Sequence, residues 1–174
     1  MSTATTQRRT VRGWLLSSEA DELRKLAAGR TVLEVGTFCG LSAITMAMTA
    51  RKVYCVDHFC GDANTGPADT REETFANFRD AGVADKIVVL CGSQDDVLPL
   101  LQLSKFDLVF YDAEHTYQTT RRGIELLLGV SPDAIVAFHD YSQQYPDVVR
   151  AVNEFIRDSG RLYRIVGTLA VTYR

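Results

Sequence analysis

The sequence predicts an α/β fold in which helices cover both faces of a mostly parallel, seven-stranded sheet. Short runs rich in β-branched residues alternate with longer segments of helical spacing through most of the chain. The runs at residues 53–56 and 108–111 are almost continuously apolar, which is typical of strands covered on both faces. The last two runs are joined only by Gly167 and Thr168, a connection that permits an antiparallel hairpin and no crossover helix.

The elements follow one another in a doubly wound order. A helix over residues 18–28 comes first; Ser17 or Ser18 is expected to cap it, and Gly29 ends it. The predicted strands cover residues 31–35, 52–56, 86–91, 106–111, 134–138, 162–166 and 169–173. The predicted helices between them cover residues 41–50, 71–81, 93–101, 117–128 and 146–159.

Length and composition favour a single globular domain. The chain has 174 residues, 46% of them hydrophobic and 24% charged, so we expect one domain over residues 17–174 behind a flexible tail, residues 1–16. No apolar run approaches the ~20 residues that span a bilayer, and we expect no membrane partner. The net charge of −3 argues against nucleic acid. The sequence is compatible with a monomer and with a homodimer formed through the outer hairpin or the first helix.

The cysteines indicate the compartment. Cys39, Cys55, Cys60 and Cys91 show no spacing of the kind that builds a zinc site. Cys55 and Cys91 lie in apolar strand-like runs, where a reduced cysteine acts as a small hydrophobic residue. The sequence therefore favours a reducing cytoplasm.

A glycine-containing loop after the first strand is the most informative segment. Gly36 and Gly40 lie between that strand and the next helix, where backbone can approach a ligand closely. Asp57 ends the second strand, at a position where a carboxylate can accept both hydroxyls of a ribose. The spacing Glu34-x-Gly36-x-x-x-Gly40 lacks the middle glycine with which dinucleotide folds approach a pyrophosphate. These features predict a nucleoside-bearing cofactor at the carboxyl edge of the sheet.

With these motifs the chain resembles class I S-adenosylmethionine-dependent methyltransferases, which have a Rossmann-like fold and a first motif of the form E/D-x-G-x-x-x-G. The resemblance runs from about Ser18 to the carboxyl end. Segments 82–90, 92–93, 106–115 and 136–141 are similar to bacterial small-molecule O-methyltransferases related to the macrocin- and cephalosporin-tailoring enzymes. The resemblance implies S-adenosylmethionine as cofactor and a small organic acceptor, most simply a hydroxyl.

The resemblance also assigns cofactor contacts. Glu34 would support the loop and the methionine amine, and Asp57 would bind the ribose. The full set of expected contacts is Glu34, Gly36, Thr37, Phe38, Gly40, Asp57, His58, Ser93, Gln94 and Asp112, with Ser93 and Gln94 near the adenine. In the alternative interpretation Glu34 and Asp57 cap turns or lie in solvent. For Cys39, packing is favoured over chemistry.

Two clusters at later strand ends are candidates for the reacting end of the site. Asp112 and His115 follow the fourth strand, and His139 and Asp140 follow the fifth. Metal-dependent O-methyltransferases that resemble this chain use an Asp and an acidic or amide pair at these places, and His139 departs from that pattern. Asp112, His139 and Asp140 are therefore candidate ligands for Mg²⁺ or another divalent cation. The alternatives are a metal-free general base, His139 or His115, and histidines that only hydrogen-bond at loop ends.

A long loop and three tyrosines are predicted to surround the acceptor. The irregular stretch 58–70 follows the second strand, and we expect it to act as a substrate lid. Tyr117, Tyr141 and Tyr145 border the same loops and could form an aromatic wall, although packing is the more common role for such tyrosines.

Three other functions share some of these sequence features. A nicotinamide-dependent oxidoreductase shares the fold and the ribose acid but has a different glycine spacing. A nucleic-acid amino methyltransferase would have an Asn/Asp-Pro-Pro-aromatic tetrad where this chain has Asp112-Ala-Glu-His115. A non-catalytic binding protein on the same scaffold is the third possibility.

Overall fold

The computed structural model describes residues 10–61 and 66–174. Its centre is a seven-stranded sheet with the strand order β3-β2-β1-β4-β5-β7-β6. The strands are β1 (Thr31–Val35), β2 (Lys52–Asp57), β3 (Ile87–Cys91), β4 (Leu108–Tyr111), β5 (Ile135–Phe138), β6 (Leu162–Val166) and β7 (Leu169–Tyr173). The predicted fold class is confirmed.

Strands β1 to β5 are parallel, and their carboxyl ends meet at one edge of the sheet. Val35 at the end of β1 pairs with Val56 of β2 on one side and with Tyr111 of β4 on the other. Tyr111 in turn pairs with Phe138 at the end of β5. The strand order reverses between β1 and β4, which is where ligands bind in open α/β sheets.

The last two strands form the predicted hairpin. β7 lies between β5 and β6 and is antiparallel to both. Gly167 in the connecting turn has a φ of +62°, a left-handed conformation that glycine adopts without strain. The turn lies beside the end of β5, since Tyr141 N–H donates to the carbonyl of Thr168.

Helices cover both faces of the sheet. They are α1 (Ser17–Ala27), α2 (Leu41–Ala47), α3 (Arg71–Asp80), α4 (Gln94–Val97), α5 (Tyr117–Leu126) and α6 (Pro146–Ser159). Leu23 of α1, Met46 of α2 and Phe78 of α3 are buried in the apolar core on one face. Ile124 of α5 and Val152 of α6 are buried in the core on the other face.

Several element boundaries differ from the sequence prediction. The strands expected from Lys86 and Phe106 begin later, because short 3₁₀ turns, Ala84–Lys86 and Leu103–Lys105, come before them. The cap of α1 is Leu16 rather than Ser17 or Ser18, since its N–H donates to the Glu19 carboxylate at 2.8 Å.

The strand β3 lies at the sheet edge and is only partly covered. Its last residue, Cys91, is therefore exposed rather than buried like Cys55.

Parts of two predictions lie outside the described residues. The expected lid, residues 58–70, includes residues 62–65, and the expected tail includes residues 1–9. In the described part of the expected tail, Val11 and Leu15 are partly buried and pack against the apolar core that includes residues of α1 and α2. No helix in the described part of the chain has the length and apolar character needed to cross a bilayer.

Candidate active site

A cavity of about 990 Å³ opens at the carboxyl edge of the sheet, between β1 and β4. It is lined by eleven of the predicted site residues, namely Gly36, Thr37, Phe38, Asp57, His58, Ser93, Gln94, Asp112, His115, His139 and Asp140. The sheet topology brings these residues together although they are spread over more than half of the sequence. Glu34 and Gly40 do not line the cavity.

The loop after β1 requires glycine at Gly36. This residue has a φ of +89°, and a Cβ placed on it would lie 2.0 Å from the carbonyl oxygen of Asp112. A side chain therefore cannot fit where the loop passes the end of β4. The absence of a side chain leaves bare backbone facing the cavity, as close approach of a ligand requires.

Gly40 allows close packing. A Cβ on Gly40 would lie 2.4 Å from the Phe78 ring, so this glycine lets α3 pack closely against the start of α2. The cofactor contact expected of Gly40 stays a prediction.

Asp57 holds the glycine loop by its backbone. Its Oδ2 accepts hydrogen bonds from the N–H groups of Thr37 at 2.7 Å and Phe38 at 2.8 Å. Its Oδ1 accepts from the N–H of Phe59 at 2.6 Å. Each carboxylate oxygen has two lone pairs, so Asp57, which also borders the cavity, keeps capacity to accept from a ligand hydroxyl.

Glu34 supports the loop from behind. It is fully buried, and its carboxylate accepts from Thr37 Oγ1 at 2.9 Å and from Ser42 Oγ at 2.6 Å. The expected contact with the methionine amine stays a prediction. Burial raises the pKa of Glu34 to about 7, and the hydrogen bonds from Ser42 and Thr37 offset only part of that rise.

The raised pKa of Glu34 predicts a pH-dependent stability. Its folded-state pKa lies above the ordinary value of 4.5, so its stabilisation is complete below pH 4.5 and is lost as the pH rises through about 7. The loss is on the order of 3 kcal/mol. In Glu34→Gln this titration is absent. Between about pH 4 and pH 8 we therefore expect the unfolding free energy of wild type to fall by that amount relative to the unfolding free energy of the variant. Denaturant unfolding measures it, and parallel pH curves would contradict this account.

The wall on the β3 side is made by residues whose polar atoms are already engaged. Ser93 Oγ caps α4 by accepting from the N–H of Asp96 at 3.2 Å. Gln94 accepts from the Tyr111 hydroxyl at 2.9 Å and donates to the carbonyl of Thr119 at 3.1 Å. Both residues border the cavity. Because their polar atoms are engaged within the protein, they contribute to the shape of the cavity wall.

The residues after β4 and β5 form a compact acidic and imidazole centre. His139 Nδ1 lies 3.3 Å from Asp112 Oδ1 and 3.3 Å from Asp140 Oδ2. One potential ligand atom from each of the three residues falls within 4.8 Å of the others. Asp140 has a φ of +55°, a conformation that is rare for residues other than glycine and that clusters at functional sites.

The charges of this centre are strongly coupled. Burial alone would lower the pKa of His139, but the neighbouring Asp112 and Asp140 carboxylates outweigh it and raise the pKa to about 11. Burial likewise opposes ionisation of Asp140, yet His115 and His139 hold the pKa of its carboxyl well below the usual range. The centre therefore strongly favours a positive charge between the two carboxylates.

The donor set fits a divalent cation. His139 Nδ1 is buried, and within residues 10–61 and 66–174 no group makes a hydrogen bond of acceptable geometry with it. Its two carboxylate neighbours, Asp112 and Asp140, each lie 3.3 Å away, so a cation held between them and Nδ1 would satisfy all three groups. Two carboxylate oxygens and one imidazole nitrogen suit Mn²⁺, Fe²⁺ or Zn²⁺ and also allow Mg²⁺.

His115 borders the same centre. Its Nε2 lies 2.6 Å from Asp140 Oδ2 and 4.0 Å from Asp112 Oδ1. Its ring stacks on Tyr145 with 4.5 Å between ring centroids. The stacking and the contact with Asp140 fix the orientation of the imidazole.

The predicted tyrosine wall is reduced to one residue. Tyr145 lines the cavity, whereas the other two contact α6. The Tyr117 hydroxyl donates to Glu154 at 2.7 Å, and the Tyr141 hydroxyl donates to Asn153 at 2.8 Å. These two tyrosines have the packing role.

Three residues that line the site, Trp14, Arg12 and Glu19, are absent from the set predicted from the sequence. Trp14 is 70% exposed, lines the cavity and stacks on Phe38 with 5.6 Å between centroids. The Arg12 guanidinium lies over the Phe38 ring and forms an ion pair with Glu73 of α3. Glu19, in α1, is buried beside His139. The lone tryptophan next to a basic tail was the available signal for Trp14.

Comparison with known proteins agrees with this geometry. Residues 33–141 match the family model described as a methyltransferase domain. A catechol O-methyltransferase of Mycobacterium tuberculosis is 38% identical over 88 residues, which are 49% of this chain and 36% of that protein. The chain thus matches about a third of the length of this curated relative.

Solved structures share the fold. The O-methyltransferase NovP superposes with a TM-score of 0.77 at 20% sequence identity. The match covers 90% of this chain and 79% of the NovP chain. The O-methyltransferase TomG of Streptomyces achromogenes, involved in tomaymycin synthesis and crystallised with SAM, gives a TM-score of 0.66 at 20% identity, over 92% of this chain and 81% of its own.

Proposed function

The chain belongs to the methyltransferase domain family, and from this membership we propose that it transfers a methyl group from S-adenosylmethionine to a hydroxyl of a small organic acceptor. The observation that carries the proposal is a single cavity. It joins the bare backbone at Gly36 to the centre formed by Asp112, His139 and Asp140. The first feature suits a nucleoside-bearing cofactor, and the second suits removal of a hydroxyl proton.

The proposal divides the cavity into two ends. At the cofactor end, Gly36, Thr37 and Phe38 present backbone and Asp57 orients the loop and a ribose. S-Adenosylmethionine supplies an activated methyl group on a sulfonium, so the protein has to align the acceptor and exclude water. The Trp14 and Phe38 pair and the His115 and Tyr145 pair offer stacked aromatic surfaces for an organic acceptor.

At the acceptor end, Asp112, His139 and Asp140 would hold a divalent cation. Such a cation lowers the pKa of a hydroxyl that coordinates it. His115 Nε2 donates to Asp140, so the released proton would be accepted by the other ring nitrogen of His115, Nδ1.

Other features support a small acceptor in a reducing compartment. The cavity volume leaves room for a compact molecule beside the cofactor. All four cysteines are free, which supports the proposed cytoplasmic location. The proposal includes no nucleic-acid or membrane partner, and the homodimer stays open.

Methyl transfer is tested with S-adenosylmethionine carrying a labelled methyl group. Phenols, catechols and aliphatic alcohols are offered as acceptors, each with Mg²⁺, with Mn²⁺ and with a chelator. We expect label in at least one hydroxyl class. Asp85→Asn, an exposed carboxylate in the 3₁₀ turn before β3, serves as a control that keeps full transfer. Cofactor binding without transfer to any acceptor would overturn the proposal and favour a non-catalytic binding protein.

A further inference from the structure

Glu19 is a buried carboxylate outside the residues that match the family model. It lies in the first turn of α1, and its exposure is only 1%. Placing a carboxylate in the interior is costly unless it is hydrogen-bonded or paired with a charge. Its contacts therefore indicate what it does.

Three N–H or O–H donors fix the Glu19 carboxylate, one from the neighbouring helix cap and two from Thr168, which is 149 positions away. Oε1 accepts from the N–H and the hydroxyl of Thr168 at 2.6 Å and 2.9 Å, and Oε2 accepts from the N–H of Leu16 at 2.8 Å. The turn between β6 and β7 closes tightly over it, since a Cβ on Gly167 would lie 2.5 Å from Oε1. The carboxylate has little freedom to move.

The fourth contact of Glu19 is with His139. Glu19 Oε2 lies 3.3 Å from His139 Nε2, while the other ring nitrogen, Nδ1, faces Asp112 and Asp140. A carboxylate on one nitrogen of an imidazole keeps the proton there and leaves the lone pair of the other nitrogen for a metal. Glu19 is therefore placed behind His139 on the side away from the acidic centre.

We propose that Glu19 is a positioning residue that fixes the ring of His139 so that Nδ1 serves as a ligand for a divalent cation that accepts imidazole, such as Mn²⁺ or Zn²⁺. The inference rests on one part of the proposed function, the divalent cation at the acidic centre. Glu19 links α1 and the turn between β6 and β7 to that centre, because both elements hold its carboxylate. Carboxylates behind metal-binding histidines typically change metal affinity by about 10- to 100-fold when they are substituted.

The first test measures Mn²⁺ affinity from the electron paramagnetic resonance signal of free Mn²⁺. In Glu19→Gln an amide replaces the carboxylate, and we expect Mn²⁺ to bind about 10- to 100-fold more weakly. The matched control is Thr168→Val, which removes one donor to Glu19 and leaves the contact with His139. It should bind Mn²⁺ within about twofold of wild type, by the same reasoning. Equal weakening in both variants would overturn the inference, because it would indicate a purely structural role.

The second test uses the wild-type protein and does not depend on the folding of a variant. In protein loaded with Zn²⁺, ¹⁵N spectra of the His139 ring should show Nδ1 bound to the metal and Nε2 carrying the proton. Metal on Nε2, or a ring that contacts no metal, would overturn the inference. A wild-type protein that binds S-adenosylhomocysteine and neither cation would also overturn it, while the proposed methyl transfer would still stand.

Discussion

Gly36→Ala is expected to lower the affinity for S-adenosylhomocysteine by at least about 100-fold, or about 2.7 kcal/mol of binding free energy. The added Cβ would lie 2.0 Å from the Asp112 carbonyl oxygen, and that atom belongs to backbone that cannot rotate away. The loop would have to leave the end of β4, and the cofactor end of the cavity would lose its shape. Isothermal titration calorimetry measures the affinity directly.

A matched control separates the clash from the left-handed backbone. Gly82 has a φ of +70°, close to that of Gly36, and a Cβ on it would meet nothing within 4 Å. Gly82→Ala should cost about 1–2 kcal/mol of stability for the left-handed conformation and leave the affinity unchanged. If Gly36→Ala binds S-adenosylhomocysteine as tightly as Gly82→Ala does, the loop is not the cofactor site.

Asp140→Asn has the second largest expected effect, a loss of at least about 100-fold in methyl transfer, the scale seen when one electrostatic group of an active site is removed. The substitution removes a negative charge that contacts both His139 and His115. It weakens the hold on a cation and frees the imidazole that is placed to accept the proton. Because Asp140 lies at the acceptor end, affinity for S-adenosylhomocysteine should change little.

Two measurements make the Asp140 result interpretable. Asp133→Asn alters an exposed carboxylate before β5, at the opposite edge of the sheet, and should retain full transfer. Transfer by wild type should fall in the presence of a chelator and return with Mn²⁺. Full turnover by Asp140→Asn together with indifference to chelators would contradict the role given to this centre.

The elements that the sequence predicted well are those in which local signals and tertiary packing agree. β1, β6 and β7 have the expected bounds, because each is an apolar run with a turn signal beside it. β3 and β4 start later than expected, since the residues before them prefer 3₁₀ turns that the alternation pattern does not reveal.

Asp57 is the last residue of β2, and Asp112, His139 and Asp140 come directly after β4 or β5, so the topology alone brings them to one edge. The direction in which a side chain points could not be predicted from the sequence. Glu34 precedes the loop as expected, but its carboxylate turns to Ser42 beneath the loop, a contact set by the path of α2.

Contacts between the ends of the chain could not be predicted. Glu19 and Thr168 are 149 positions apart, and only the packing of α1 against the turn between β6 and β7 joins them. Trp14 reaches Phe38 because the segment before α1 crosses the glycine loop. No periodicity or motif in a single sequence encodes such long-range packing.

The central claim is that the cavity beside Gly36 binds S-adenosylmethionine and that Asp57 holds the loop that binds it. Calorimetry of the folded protein with S-adenosylhomocysteine tests this claim most directly. We expect one molecule bound per chain and an affinity at least about 10-fold weaker in Asp57→Ala, about 1.4 kcal/mol. Absence of binding heat with both S-adenosylmethionine and S-adenosylhomocysteine would contradict it.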